Sequence, residues 1–369
     1  MKKYIYLLGL LFGMTNSVKA QIVNIPDANF KAKLIALGVD TNGDGQVQIT
    51  EAEAVTYLDV SSSNISNITE IEAFVNLPFL NCNSNQLTSI DISNNAKLSQ
   101  LFLEANQLTS LDVSANLLLT DLGVNNNQLT SIDVSNNTNL GILWCDFNLL
   151  TNIDVSSNQY LSRFSFSNNQ LTTIDVSNNV NLYEFFCNNN QLTSLDLSNN
   201  ANLTFLTCGN NQLTSLDLSN NANLLMLECN YTQLSNIILK NGSIESYLDF
   251  NYNPNLTYIC ADAAQLGNIQ SLAQQYGMTN VVVDDLCNSI GLIGVIQQPS
   301  FQCYPNPAQN TLTIETSKDA RFFIMNIMGE MVRTVEVKGK ETLDISNLPK
   351  GMYFLKEEDG SRGISFVKA

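Results

Sequence analysis

The feature that most constrains this chain is a 21-residue period. Leu98-x-x-Leu101-x-Leu103-x-x-Asn106-x-Leu108 returns as Leu119-x-x-Leu122-x-Val124-x-x-Asn127-x-Leu129, and further copies begin at Leu140, Leu161, Leu182, Leu203 and Leu224. One column runs Val60, Cys82, Leu103, Val124, Cys145, Phe166, Cys187, Cys208, Cys229, Phe250. A strict short period means that each unit stacks on the last and buries its apolar residues only against its neighbours. With one short strand per turn and strands about 4.8 Å apart, nine steps make a body about 43 Å long. Alternate strand residues point inward and are apolar, and the Asn turns the chain.

L-x-x-L-x-L-x-x-N-x-L is the leucine-rich-repeat pattern, so the expected fold is mainly β, a solenoid of about ten turns. The other half of each turn is similar, as in Leu213-Thr-Ser-Leu216-Asp-Leu218. A second line of short parallel strands is therefore predicted on the opposite side. The solenoid spans residues 55–255 and needs a cap at each end. Residues 21–54 serve as the first. Residues 256–287 serve as the second, with a helix over 263–276 and a strand over 281–283.

Lys2, Lys3 and an apolar run over 5–14 ending at Ala20 read as a signal peptide over residues 1–20, too short to cross a bilayer. A buried first helix or strand is the competing reading. No later segment reaches transmembrane length. The net charge is −17, and residues 21–299 hold five basic against 25 acidic side chains. That balance excludes nucleic acid as a partner, which requires a basic face. It suits cationic partners and divalent ions. The chain has no His, which removes His-based acid–base chemistry, His-activated nucleophiles and His-ligated metals. The reading is a binding protein and not an enzyme.

The stretch Asp40-Thr-Asn42-Gly-Asp44-Gly45-Gln46-Val-Gln48-Ile-Thr-Glu51 resembles the EF-hand calcium loop at each defining position. The resemblance implies a structural calcium ion held by Asp40, Asn42, Asp44, the Gln46 carbonyl and Glu51, with helices over 27–37 and 49–57. A metal-free Asn/Asp/Gly turn is the alternative. Cys260 and Cys287 form a candidate disulfide, permitted by export.

Beyond a linker over 288–299, the pattern breaks. Tyr304-Pro305-Asn306-Pro307, Asn326-Ile-Met-Gly329, Asp344-Ile-Ser-Asn-Leu-Pro-Lys-Gly351-Met-Tyr353 and Phe366-Val367-Lys368 follow in order. Residues 300–369 resemble the type A C-terminal sorting domain of type IX secretion substrates. The resemblance implies a small β-sandwich that engages the type IX secretion machinery and delivers the chain outside the outer membrane, anchored or released. Cys303 departs from the aliphatic residue usual there. Short strands are predicted at 312–315, 321–327, 331–337 and 352–356. The whole layout, opening on Ile25-Pro-Asp-Ala-Asn-Phe30, resembles secreted leucine-rich-repeat proteins taken to act in adhesion or protein binding.

Four columns invite functional readings. Cys82, Cys145, Cys187, Cys208 and Cys229 share one inward register, which favours core packing over a metal or redox ladder. Asp91, Asp112, Asp133, Asp154, Asp175, Asp196 and Asp217 face outward. Neighbours about 4.8 Å apart repel by about 0.9 kcal/mol even in bulk water, so backbone N–H donors, raised pKa values or bound cations must offset them. Seven equivalent carboxylates provide no differentiated acid and base. A threonine column from Thr88 to Thr214 fits strand propensity better than ice binding. Outward aromatics Phe79, Phe102, Trp144, Phe147, Tyr183, Phe186, Phe205 and Tyr231 form the candidate ligand face, centred on Trp144 and Phe186, for an extracellular protein or glycan. A carbohydrate-binding accessory and a structural surface-matrix protein are the alternatives.

Overall fold

A computed structural model describes residues 21–287, 301–316, 318–326, 330–357 and 363–369. The chain divides into two compact units, with the boundary between Leu286 and Cys287. The signal-peptide reading and the linker over 288–299 lie outside the described residues.

The first unit is a β-solenoid. Ten parallel strands form one sheet in strict chain order, from Leu58–Asp59 and Phe79–Asn81 to Tyr247–Asp249. The register advances one repeat per strand: Leu80 lies beside Leu101, and Leu143 beside Phe164. The central residue of each three-residue strand, and Leu58 of the first, is buried in a continuous apolar core. The two residues flanking it are more exposed in most strands.

Asparagine holds successive turns together. Asn148 Nδ2 donates to Val124 O at 3.0 Å and Cys145 O at 3.1 Å, and its Oδ1 accepts from Leu129 N at 3.0 Å. Asn106, Asn127, Asn169, Asn190 and Asn211 repeat the pattern. A second buried ladder runs from Asn95 to Asn221, donating to carbonyls 21 and 24 residues back.

The predicted second line of strands appears only at the C-terminal end, where Ser215–Asp217, Asn236–Leu239, Tyr258–Ala261 and Val282–Asp284 form a four-stranded parallel sheet. Earlier turns carry no strand there. They are joined on that side by single bonds such as Gln128 N to Leu108 O at 2.8 Å. The ladder closes where Ile238 takes the position of Asp217 and Tyr258 that of Ser215, residues of higher strand propensity.

Both ends are capped. Helix α1 (Ala28–Ala36) begins at Asp27, whose Oδ1 accepts from Asn29 N and Phe30 N, both at 2.9 Å. Its Oδ2 accepts from Ser66 N at 2.9 Å and Asn67 N at 3.1 Å, fastening the cap to the first turn. Phe30 is buried beside Phe74, ring centres 6.5 Å apart. Helix α2 is short, Ile49–Ala52. At the other end α3 (Leu266–Gln275) buries Ile269 and Ala273.

The second unit is a β-sandwich. One antiparallel sheet holds Phe301–Tyr304, Thr311–Thr316 and Lys340–Asp344; the other holds Met331–Val337, Ala320–Asn326, Gly351–Glu357 and Gly363–Lys368. Phe301, Leu312, Ile314, Phe322, Leu355 and Phe366 share their core. Three of these seven strands were not predicted: Phe301–Tyr304, Lys340–Asp344 and Gly363–Lys368. The ordered motifs close on one another. Asn306 Oδ1 accepts from Val367 N at 2.8 Å, and Tyr353 Oη donates to Pro349 O at 2.9 Å. The Asn326-to-Gly329 motif lies partly outside the described residues.

Candidate functional site

The outer face of the ten-stranded sheet presents two rows, one on each side of the buried central residue. The second contains Phe102, Gly123, Trp144, Ser165, Phe186 and Thr207 on successive strands. Large rings therefore alternate with small residues. Phe102, Trp144 and Phe186 are half-buried, two strand spacings or about 9.6 Å apart. A Cβ at Gly123 would meet the Phe102 ring at 3.0 Å and the Glu104 carboxylate at 2.7 Å, so glycine makes room for the neighbouring ring.

The first row carries Phe79, Asp121, Ile142, Arg163, Glu184 and Phe205 among others. Arg163 is the one basic residue on these ten strands, against Asp59, Asp121, Glu184, Glu228 and Asp249. It is already engaged: its Nε lies 3.3 Å from Glu184 Oε2 and donates to Tyr183 Oη, and its guanidinium sits 5.2 Å from the Tyr183 ring centre. Beside the sheet, burial pushes the Asp146 carboxyl up despite hydrogen bonds from Ser165 and Ser167. Burial and then Asp146 push Glu104 up; burial and then Asp249 push Glu228 up. A cation placed here would relieve that repulsion.

The eight candidate aromatics do not form one platform, and the sequence expectation is corrected on this point. Phe102, Trp144 and Phe186 share the second row, Phe79 and Phe205 occupy the first, and Tyr183 precedes its strand. Phe147 and Tyr231 lie off the sheet, at a corner where each turn takes a positive φ. Sequence reasoning missed Tyr57, stacked on Phe79 at 4.3 Å, and Tyr252, stacked on Tyr231 at 4.2 Å. The second was signalled: Tyr252 stands one 21-residue period after Tyr231.

The aspartate column is explained by hydrogen bonding. Each Asp accepts from the backbone N–H of the serine two residues on, as in Asp112 to Ser114 at 2.8 Å and Asp154 to Ser156 at 2.9 Å. The serine hydroxyl and N–H hold Asp91, Asp112, Asp133, Asp154, Asp175 and Asp196 below the usual carboxylate range. Backbone donors thus offset the mutual repulsion. The five repeat cysteines are buried and free, and burial pushes the Cys208 thiol up to about 12. Cys303 is also free, while Cys260 and Cys287 are disulfide-bonded.

In the N-terminal loop, Asp40 Oδ1 accepts from Gly43 N and Oδ2 from Gly45 N, both at 2.8 Å, with both glycines at positive φ. Asn42 Oδ1 accepts from Asp44 N, and Asp44 Oδ1 from Gln46 N, again at 2.8 Å. The Gln48 side-chain amide bridges Asn42 Nδ2 at 2.9 Å and Asp44 Oδ2 at 3.0 Å. Glu51 reaches back from α2 to Gln48 N at 2.9 Å and Thr41 Oγ1 at 2.7 Å. Burial raises its pKa, but these bonds outweigh burial and lower it overall. The donor set is all oxygen and fits a hard cation. Among the described residues, however, no three Asp, Glu, Cys or His side chains are gathered as a metal-holding group.

Fold and tail together define the class: a leucine-rich-repeat solenoid followed by a secretion-type sorting domain. Residues 302–368 match the family described as "Secretion system C-terminal sorting domain", the tail of type IX secretion, which marks the chain for export. The structure is similar to an internalin (inlF) of Listeria monocytogenes, with 23% identity, TM-score 0.53, 73% of this chain and 92% of that one covered. It is also similar to internalin C2 of the same organism, at 22% identity and TM-score 0.52 over 57% of this chain and 97% of that one. A leucine-rich-repeat protein of Leptospira interrogans follows at 23% identity and TM-score 0.51, covering 64% and 62%. These likenesses concern the fold. No curated protein matches the chain. No helix among the described residues is long and apolar enough to cross a membrane.

Proposed function

We propose that the chain is a non-enzymatic adhesion or interaction module, exported to the outer surface of the outer membrane or beyond it, that binds a protein on the outer face of its long sheet. The observation that carries this reading is the row Phe102, Trp144, Phe186 with Gly123 and Ser165 between the rings. Half-exposed aromatics on a rigid sheet lose little conformational entropy on binding and are the residue type that dominates interface energies. The surrounding carboxylates select a partner with basic groups and raise its rate of encounter. The sorting tail supports delivery, and a signal peptide over residues 1–20 would begin that route. Calcium is part of the proposal: Asp40, Asn42, Asp44, the Gln46 carbonyl and Glu51 would hold it, tightening the first cap.

The test is an array of extracellular proteins probed with the chain from residue 21, beside the double variant Trp144→Ala, Phe186→Ala. The expected result is a protein hit that the folded variant loses by about 100-fold or more, as two hot-spot truncations imply. A hit retained by the folded variant removes the sheet face as the binding site.

A further inference from the structure

The corner of the solenoid that bears Tyr231 and Tyr252 lies away from the sheet rows. Beside it opens a cleft of about 750 Å³, within the range of about 300–1,000 Å³ typical of small-ligand sites. It lies between the last repeat turns and the segment that follows α3, which contributes Tyr276, Thr279 and Asn280. Tyr231 and Tyr252 are 49% and 58% exposed. Their rings are stacked 4.2 Å apart and 12° from parallel. Tyr276 is fixed by an edge contact with Phe250 at 5.3 Å and donates to Leu248 O at 3.4 Å.

Two observations single this place out. The first is conformational. The corner position has φ between 52° and 59° in each turn from Asn126 onward, and Asn126, Asn168, Asn189 and Asn210 occupy it in four of them. Asn tolerates the left-handed region and tyrosine does so poorly. Two consecutive tyrosines here are choices that stability does not ask for. The second is electrostatic. None of the fifteen lining residues is charged, in a body that holds 25 acids against five bases between residues 21 and 299. The cationic partner suited to the sheet has nothing to meet in this cleft.

Aromatic faces beside neutral amides and hydroxyls recognise a ring that is apolar on its C–H face and hydroxylated at its rim. We propose that the cleft is a second binding site, for a neutral oligosaccharide, with Tyr231 and Tyr252 as the stacking platform and Gln233, Asn251, Thr279 and Asn280 supplying polar contacts. The site shares no residue with the sheet face.

The experiment titrates the full chain with neutral hexasaccharides of glucose, mannose and xylose, and in parallel with a proline-rich peptide, by tyrosine fluorescence and calorimetry. At least one sugar is expected to bind with Kd below about 1 mM. Tyr252→Asn is expected to weaken it about tenfold or more, the order of one lost aromatic contact, while Tyr252→Phe and Phe147→Asn leave it close to the parent. Tyr252→Asn installs the residue that four other turns carry, so it folds, which circular dichroism checks; Tyr231→Asn is the second variant. The proposal is overturned if no sugar binds, if the peptide alone binds, or if both Asn variants bind sugar as the parent does. The Trp144→Ala, Phe186→Ala variant separates the two sites: it keeps sugar binding here, and loss of sugar binding in it moves the sugar to the sheet.

Discussion

Asp27 shows how much one side chain organises. It caps α1 with one oxygen and holds the first repeat with the other, which accounts for its place in the opening Ile25-to-Phe30 motif. Asp27→Ala removes an N-cap and a tether, and is expected to cost about 1–2 kcal/mol, read from urea unfolding midpoints. Burial raises the Asp27 pKa, but bonds from Phe30, Ser66 and Asn67 outweigh it and lower it overall. A lowered folded pKa means that this stabilisation is present above the ordinary value of 3.8 and is lost as pH falls through the folded one. The variant and parent should therefore converge in stability under strong acid; a difference unchanged from neutral pH into strong acid removes the carboxylate from this account. The aromatic corner residues work the other way. Phe147, Tyr231 and Tyr252 at positive φ each cost on the order of 1 kcal/mol relative to an unstrained backbone.

At the scale of the element, each repeat turn is a short strand tied to its neighbours by the two buried ladders, in which asparagine is the usual residue. The strands have two to four residues in the solenoid, too few to persist alone. Asn148→Ala would leave the buried Leu129 N–H without its bond and remove one of the two asparagine donors from each of Val124 O and Cys145 O, which keep Asn127 and Asn169. The expected loss is about 2–4 kcal/mol, measured by chemical denaturation. A loss below about 0.5 kcal/mol would mean that water replaces the ladder. Thr232 stands at the equivalent position and keeps contact with Cys229 O at 3.2 Å and with Asn253 Oδ1. Asn148→Thr is accordingly the milder variant.

At the scale of the whole molecule, a one-dimensional stack is as firm as its ends, because each turn contacts only its neighbours. The N-terminal loop sits at one end, so calcium there would stabilise more than the loop. With calcium at 100 times its Kd, the stabilisation is about 2.7 kcal/mol, read as a rise in Tm. Glu51→Ala should abolish the calcium response, and calorimetry on the parent should show one binding event. No heat and no shift in Tm with millimolar calcium would leave the loop as a hydrogen-bonded turn of the kind Glu51 and Gln48 already make.

Repetition made most of this fold legible in the amino-acid order. The inward column from Val60 to Phe250, the ladder asparagines and the capping segments follow from a period that permits one stacking register. The sorting-domain strands were legible where alternation was strong, as at Met331–Val337, and missed at Gly363–Lys368, where pairing with Gly351–Glu357 supplies the order. The aspartate column left three explanations open, because whether a carboxylate finds a serine N–H depends on backbone dihedrals. The aromatic residues were visible as types, yet their division between a sheet row and a corner cleft depends on where each turn bends. Tyr231 and Tyr252 stand one period apart, so the sequence places them on adjacent turns; the left-handed corner that carries both rings away from the sheet, stacked 4.2 Å apart, is decided by how each turn bends.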